Sequence, residues 1–556
     1  MSEVTNNDVA KKTADEKYVL AMYDIRGKQE YIFRTNKLKE IVGGSWIIRD
    51  CFKDYLFPAA VGRTDEEVDC MKGSKGIFTY KDVSHKDDPC REFSKDGFMK
   101  HLDEGYCAEV VYDGGGNFFV LFKSNKVFRE VTWRFTCEVL KATGTLRILA
   151  TGIEIENFDH YGADQRKLRE KHRMREAEES SAVPWACPPI VQTDRQTSMP
   201  LVSDKNIESE EKTTRERLAK LAKFRKEISR INSRKGDPNA SNVEKYYMTL
   251  NEKIFDHIVE EKGVDSNLAV VYIDGNSMGA KVEKATRGKE SYEECVAALR
   301  EFSAEIEKLY VQDGVDAALG DVMDSQSKDR FRIVVYAGDE INFVVKARNA
   351  MDCARNYLEK LKGEEDASAC AGIAVFHSHS PYADAYRIAE ECCESGKKKM
   401  KEARMQCASF IDFHICQGTI GTSLDTIREL ENPEGVSRPW LLWSKDPKET
   451  TSTITSFAKI ESILSLFRAC KISRSNIKGL ANAAKTGEVE LKMELKRIYA
   501  HMDKDLKKQK SKEWDELIKD SSSREILYDL AICYDFWFRE DNSKNTGTET
   551  EGNENE

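Results

Sequence analysis

No Cys-x-x-Cys pair occurs anywhere in the 556 residues, although the chain has 15 cysteines. They are scattered and odd in number, with only Cys392 and Cys393 adjacent, which argues against a zinc ribbon or a disulfide framework. Reduced, mostly buried thiols and no zinc are expected. No apolar run is long enough to span a bilayer, and Met1 to Lys17 lacks the apolar region of a secretory leader. A cytoplasmic protein without membrane contact is the expectation. A basic excess is missing too: the net charge is −10 and the pI about 5.7. Free-standing nucleic-acid binders are usually basic, so long-duplex binding is not the main task, although a local basic cleft remains open. What is present, 40% hydrophobic and 33% charged residues, suits a globular chain with a charged surface. The length suggests three or four domains.

The organisation is a repeat. After a polar arm at 1–17, a buried strand (Tyr18 to Asp24) leads to a turn at Gly27 and a helical pattern through Leu38, Ile41, Val42, Trp46 and Ile47. Ala108 to Tyr112 and Phe118 to Phe122 flank a glycine-rich turn, a hairpin signal. A helix near 124–142 and a strand at Leu146 to Ile155 complete a βαββαβ order over 18–157. Residues 158–244 change character: two charged helices, a proline-containing stretch from Val183 to Leu201 and a linker at Gly236 to Asn242 predict a helical insertion. The βαββαβ order returns over 245–420, with strands at Asn267 to Ile273, Phe331 to Tyr336, Ile341 to Val345 and 369–376. A helix at 381–404 and a strand at 408–414 follow. Residues 436–541 read as helical with Trp440, Trp443, Trp514 and Trp537 in the core, and 542–556 as a disordered acidic tail. The expected fold class is α+β, with two ferredoxin-like units, the helical insertion and a helical C-terminal domain.

The two copies differ in their acids. Asp24 and Asp274 end equivalent strands. The hairpin tip Gly114-Gly115-Gly116-Asn117 of the first copy corresponds to Ala337-Gly338-Asp339-Glu340 of the second. In the second copy Asp274, Asp339 and Glu340 are expected to converge, because the first strand of such a sheet lies beside the central hairpin. Three unpaired carboxylates would repel, and a hard divalent cation, Mg²⁺ or Mn²⁺, relieves that conflict. Gly338 permits a tight tip. The backbone of Gly275-Asn276-Ser277-Met278-Gly279, with the Ser277 hydroxyl, is a candidate triphosphate cradle. Lys397 and Lys398, on a later helix with Lys399 and Lys401, are candidate phosphate ligands. Gly114, Gly115 and Gly116 permit close approach of a nucleotide, although a plain tight turn needs them equally. His377 and His379 lack an obvious third ligand and read as polar residues of structural or substrate-side use.

These motifs resemble those of the large palm-domain subunit of type III CRISPR effector complexes (the Csm/Cmr large subunit, Cas-ten family). Asp24-Ile25-Arg26-Gly27-Lys28-Gln29-Glu30-Tyr31-Ile32-Phe33 and Gly44-Ser45-Trp46-Ile47-Ile48 are similar to that family's first-palm motifs. Asp274-Gly275-Asn276-Ser277-Met278-Gly279 and Ala337-Gly338-Asp339-Glu340 stand where its second palm has Asp-Gly-Asp-x-Met-Gly and Gly-Gly-Asp-Asp. The segment from Ala371-Gly372-Ile373-Ala374 to Pro381 also looks like the family's following strand and helix start. The resemblance implies Mg²⁺-dependent synthesis of cyclic oligoadenylate from ATP by the second palm in antiviral defence. It implies a first palm that helps hold nucleotide, with guide RNA and other CRISPR effector subunits as partners. Three positions depart from the pattern: Asn276 replaces an acid, Ala337 a glycine, and Glu340 an aspartate. Related GGDEF diguanylate cyclases use Gly-Asp-Glu, so glutamate is compatible with a metal. No His-Asp doublet occurs, so no nuclease domain of that kind and no DNA cleavage by that route are expected. The alternatives are a non-catalytic nucleotide-binding or scaffold subunit of a guide-RNA complex and a stand-alone cyclic dinucleotide synthase.

Overall fold

The structure, a computed structural model, describes residues 17–35, 37–63, 69–80, 93–114, 117–178, 190–195, 197–202, 213–233, 258, 266–324, 331–416, 422–432, 435–446, 454–520 and 522–538. The arm before 17, Gly115, Gly116, the linker at Gly236 to Asn242 and the acidic tail lie outside these residues. The chain divides into two compact units. One comprises residues 1–254, 277–316 and 332–343, the other 255–276, 317–331 and 344–556, so the division runs through the second repeat.

The first repeat begins with strand β1 (Val19–Arg26) and helices α1 (Lys28–Phe33) and α2 (Leu38–Cys51). A short β2 (Ile77–Phe78), helix α3 (Lys95–Asp103), the hairpin β3 (Ala108–Gly114) and β4 (Asn117–Phe122), helix α4 (Asn125–Thr143) and β5 (Arg147–Glu154) follow. The sheet order is β2-β3-β4-β1-β5. The last four strands in that order are mutually antiparallel, as the ferredoxin-like pattern requires, and β2 adds a parallel edge to β3. Alternation along β1 sends Val19, Ala21, Tyr23 and Ile25 to one face and Leu20 and Met22 to the other, so the sheet is buried on both sides.

Helix α5 (Tyr161–Glu178), the small β6 (Leu201–Val202) and β7 (Thr213–Thr214) pair, and α6 (Arg215–Ser233) come from the insertion. Helix α6 lies so close to α2 that a Cβ on Gly43 would stand 2.0 Å from the Lys220 carbonyl oxygen. The Trp46 indole stacks on Phe224 at 5.8 Å. Lys220 is fully buried and bonds Glu216 at 2.6 Å, with burial lowering its pKa. Glu216 also takes Arg34 at 2.8 Å, and Glu40 takes Arg217 at 3.0 Å.

The second repeat runs β8 (Asn267–Gly275), α7 (Met278–Thr286), α8 (Tyr292–Ile306), α9 (Gly314–Asp324), β9 (Phe331–Ala337), β10 (Glu340–Lys346), α10 (Ala350–Lys362) and β11 (Ala369–His377). Helix α11 (Tyr382–Glu402) then crosses over to β12 (Ala408–Ile415), parallel to β11. The strand order is β13-β12-β11-β8-β10-β9. The edge strand β13 (Trp440–Ser444) lies in a stretch expected to be helical. Its apolar run, Trp440 to Trp443, is too short for a helix and pairs antiparallel with β12 instead. Helices α12 (Leu424–Glu431), α13 (Phe457–Ala469), α14 (Arg474–Thr486), α15 (Glu488–His501), α16 (Lys504–Lys519) and α17 (Ser523–Trp537) complete the chain. Trp440, Trp443 and Trp514 are buried as expected, and the half-buried Trp537 donates its indole N–H to the Ala347 carbonyl at 2.8 Å. The fold class is therefore α+β, as read from the sequence. All thirteen described cysteines are free thiols, and among the described residues no helix is long and apolar enough to cross a membrane.

Candidate active site

Both repeats place an aspartate near the end of the first strand and a left-handed residue three positions on. Gly27 has φ 62° and ψ 38° and caps α1, while Ser277 has φ 56° and ψ 33° and caps α7. Glycine takes this conformation at no steric cost, whereas a serine is strained there. Helix α7 was not expected from the sequence, and it turns the second half of the 275–279 stretch into a helix start. Ser277 and Gly279 are exposed, Met278 is half-buried, and a Cβ on Gly279 would meet nothing within 4 Å.

Asn276 behaves differently from the cradle expected of it. Only 1% exposed, it turns inward and donates its side-chain N–H groups to Ser368 Oγ at 3.2 Å and the Ala408 carbonyl at 2.9 Å. Its backbone N–H bonds the Ser368 carbonyl at 2.9 Å. It ties the end of β8 to neighbouring strands, and the buried neighbour Gly275 closes β8 opposite Ala369.

Asp274, opposite Cys370 in the β8–β11 register, is bonded through Oδ2 by the Lys397 ammonium of α11. The two side chains are 24% and 14% exposed. Burial alone would lower the Lys397 pKa, but the adjacent Asp274 carboxylate outweighs it and holds the lysine above its ordinary value. Glu394 stands 3.6 Å from the same ammonium. Lys397, expected to face phosphate, thus carries an ion pair, while Lys398 is exposed. Helix α11 sits close to the sheet because Gly372 has no side chain: a Cβ there would lie 1.8 Å from the Ala389 carbonyl oxygen.

Gly338, with φ 64°, makes the tight hairpin tip that the sequence called for, and Asp339 and Glu340 are half-buried on it. Asp339 acts on Tyr112 of β3, whose hydroxyl is pushed up to about 12 by burial first and then by Tyr80, Asp113 and Asp339. The Tyr112 hydroxyl overhangs Gly114, where a Cβ would lie 1.9 Å from it. Nothing in the residue spacing singles out Tyr112. Its only trace is the glycine that makes room for it. Helix α8 of the second repeat is anchored on the same strand. Arg300 donates to Glu109 at 2.9 Å and to the Val111 carbonyl at 3.2 Å, and Ser303 donates to the Asp113 carbonyl at 2.7 Å.

Among the described residues no group of three His, Cys, Asp or Glu stands ready to hold a metal ion. At Asp274 a lysine supplies the positive charge. The residues still suit a hard cation. Asp274 is partly exposed, already holds a cation, and leaves Oδ1 without a protein partner among the described residues.

Residues 267–406 match the model of the Cas10/Cmr2 second palm domain. No curated protein matches the chain. Among solved structures, an apo Csm1-Csm4 cassette is 11% identical with a TM-score of 0.40, over 73% of this chain and 55% of that one. A Csm1-Csm4 cassette in complex with cA4 is 12% identical with a TM-score of 0.40, over 83% and 63%. Csm1 of T. onnurineus is 13% identical with a TM-score of 0.43, over 94% and 66%. The chain therefore spans a little over half to two thirds of the length of these structures. The match to the family covers both the Asp274 strand end and the Asp339-Glu340 tip, so residues 267–406 are similar to a second palm of the Cas10/Cmr2 kind.

Proposed function

We propose that the second palm is a nucleotidyltransferase that joins and cyclises nucleotides, ATP to cyclic oligoadenylate, in a CRISPR-type defence. The observation that carries this reading is the Cas10/Cmr2 match over 267–406, which spans both acidic motifs. In the reaction the 3′-hydroxyl oxygen of one ATP bonds to the α-phosphorus of another. The bond from that phosphorus to the bridging oxygen breaks, pyrophosphate leaves, and the hydroxyl proton passes to solvent. Asp274, Asp339 and Glu340 are the residues that would hold Mg²⁺ or Mn²⁺. Such a cation, when bound, lowers the pKa of the attacking hydroxyl and neutralises the leaving pyrophosphate. In the first palm Asp24 pairs in register with Asn117.

The remaining residues supply binding. The exposed first turn of α7, from Ser277 through Gly279, offers backbone N–H groups and a hydroxyl to a triphosphate. Gly279 has neither a positive φ nor a packing neighbour to require a glycine, which supports close approach of a ligand there. Gly338 keeps the tip compact. Gly114, with Gly115 and Gly116, belongs to the first palm's share of the nucleotide site, and the exposed Lys398, with Lys397 once it leaves Asp274, supplies the cations for the phosphates. Partnership with other effector subunits and with guide RNA is part of the same proposal.

A second reading, a non-catalytic nucleotide sensor or scaffold subunit, is favoured by two observations: the Asp274–Lys397 pair and the inward Asn276. Product analysis separates the two. Wild-type protein with ATP and Mg²⁺ is expected to release pyrophosphate and form oligoadenylate, and Asp339→Asn to form none while melting as the wild type does. Equal turnover by Asp339→Asn would remove the proposed site. Nucleotide binding without pyrophosphate release would establish the sensor.

A further inference from the structure

The two palms neutralise their strand-end aspartates by different means. Asp24 is held by Arg26 at 3.2 Å and Lys28 at 3.6 Å, both from its own motif. The equivalent positions after Asp274, two and four residues on, are Asn276 and Met278, which carry no charge. The counterion of Asp274 comes instead from a separate element, at the end of the flexible Lys397 side chain on α11. Lys397 also has a second carboxylate within reach, Glu394 one turn earlier on the same helix. It can therefore leave Asp274 without becoming an unpaired charge. A divalent cation at the same carboxylate offers twice the charge of an ammonium and competes with it.

We propose that Lys397 is an exchangeable counterion. It occupies Asp274 until a divalent cation takes the carboxylate, and the released ammonium then joins the triphosphate, so that metal and nucleotide bind cooperatively. This rests on the reading of Asp274 as a metal ligand. It adds that Lys397 opposes metal binding when nucleotide is absent and favours nucleotide binding when metal is present. In the linkage sense, one side chain carries a coupling free energy between two ligands, and the coupling is reciprocal. Lys397 is accordingly a positioning residue whose first partner is a protein carboxylate.

The test is a Mn²⁺ titration of the full chain, followed by the electron paramagnetic resonance signal of free Mn²⁺, with and without α,β-methylene-ATP, after subtracting the Mn²⁺ that the nucleotide binds without protein. In the wild type the nucleotide is expected to tighten Mn²⁺ binding by about 5-fold or more, the lower end of ordinary coupling. Lys397→Met is expected to bind Mn²⁺ alone several-fold more tightly than the wild type, and to lose most of the coupling. Lys397→Arg, which keeps the cation, is expected to keep the coupling. Lys397→Gln repeats the truncation with a polar end should the Met variant melt early. Equal Mn²⁺ affinity in wild type, Lys397→Met and Lys397→Gln without nucleotide would overturn the exchange while leaving the metal site standing. Unchanged Mn²⁺ binding by Asp274→Asn would show instead that the site reading itself is wrong.

Discussion

The first palm and the second palm share one backbone device and use it for different ends. In both, a strand delivers an aspartate, a left-handed residue follows three positions later, and a helix starts. In the first palm the motif around that device is absorbed by structure. Gly27 takes the positive φ, Arg26 and Lys28 cover Asp24, and Gly43 and Trp46 seat the insertion helix. In the second palm the same places have no such use. Ser277 bears the strain a glycine would avoid, Gly279 fills no packing need, and the aspartate relies on a lysine from a distant helix. Packing explains neither the strain at Ser277 nor the glycine at 279. The two copies thus differ in the counterion of the aspartate more than in its position in the repeat.

The largest effect that would break this comparison is catalytic. Asp339→Asn is expected to reduce product formation by about 10³-fold, the several kcal/mol that charge neutralisation at the leaving group supplies. Asp24→Asn is expected to leave it within about threefold. Comparable losses from both would mean that the palms are not functionally distinct.

A packing effect comes next. Gly372→Ala forces a Cβ onto the Ala389 carbonyl and is expected to destabilise the fold by about 3 kcal/mol, read as an early melting transition. Gly279→Ala should leave the melting temperature unchanged and weaken nucleotide binding. If both glycines proved equally tolerant in melting, close packing of α11 on β11 would be the wrong reason for Gly372.

The buried histidines sharpen the contrast further. Burial lowers the pKa of His172 in the insertion helix α5. His414 of the second palm is lowered to about 3, by burial first and then by Arg438 and Arg428. A group that stays neutral when folded but protonates near its ordinary value of 6.5 when unfolded costs stability in acid. The unfolded chain binds the extra proton between about pH 6.5 and 3, so stability falls as pH drops through that window, by up to about 1.4 kcal/mol per pH unit. His414→Gln is expected to flatten that slope in denaturant melts, with Arg428, Arg438 and the nearby Glu431 left in place. The smallest effect belongs to Ser277→Gly, expected to stabilise by roughly 0.5–1 kcal/mol by relieving the left-handed serine.

Much of the fold was legible in the residues. Apolar runs such as Tyr18 to Tyr23 and Phe118 to Phe122, with a glycine turn between the two strands of a hairpin, are a local signal, and they located both hairpins and both first strands. Helix α7 was missed because Ser277-Met278-Gly279 resembles a loop and carries no periodicity. β13 was missed because Trp440 to Ser444 is short and lies among helices, so its strand character depends on β12. Of the candidate site, the acids and the tip glycine were readable as a pattern. The Lys397–Asp274 pair and the inward Asn276 were not, because each joins residues more than ninety positions apart and is decided by tertiary packing.

One measurement tests the central claim most directly: anomalous diffraction from crystals soaked with Mn²⁺ and a non-hydrolysable ATP analogue. The account predicts a manganese peak about 2.1 Å from carboxylate oxygens of both Asp274 and Asp339, Lys397 turned toward the phosphates, and no metal at Asp24. Manganese at Asp24, or Asp274 still bonded to Lys397 with the metal bound elsewhere, would contradict it.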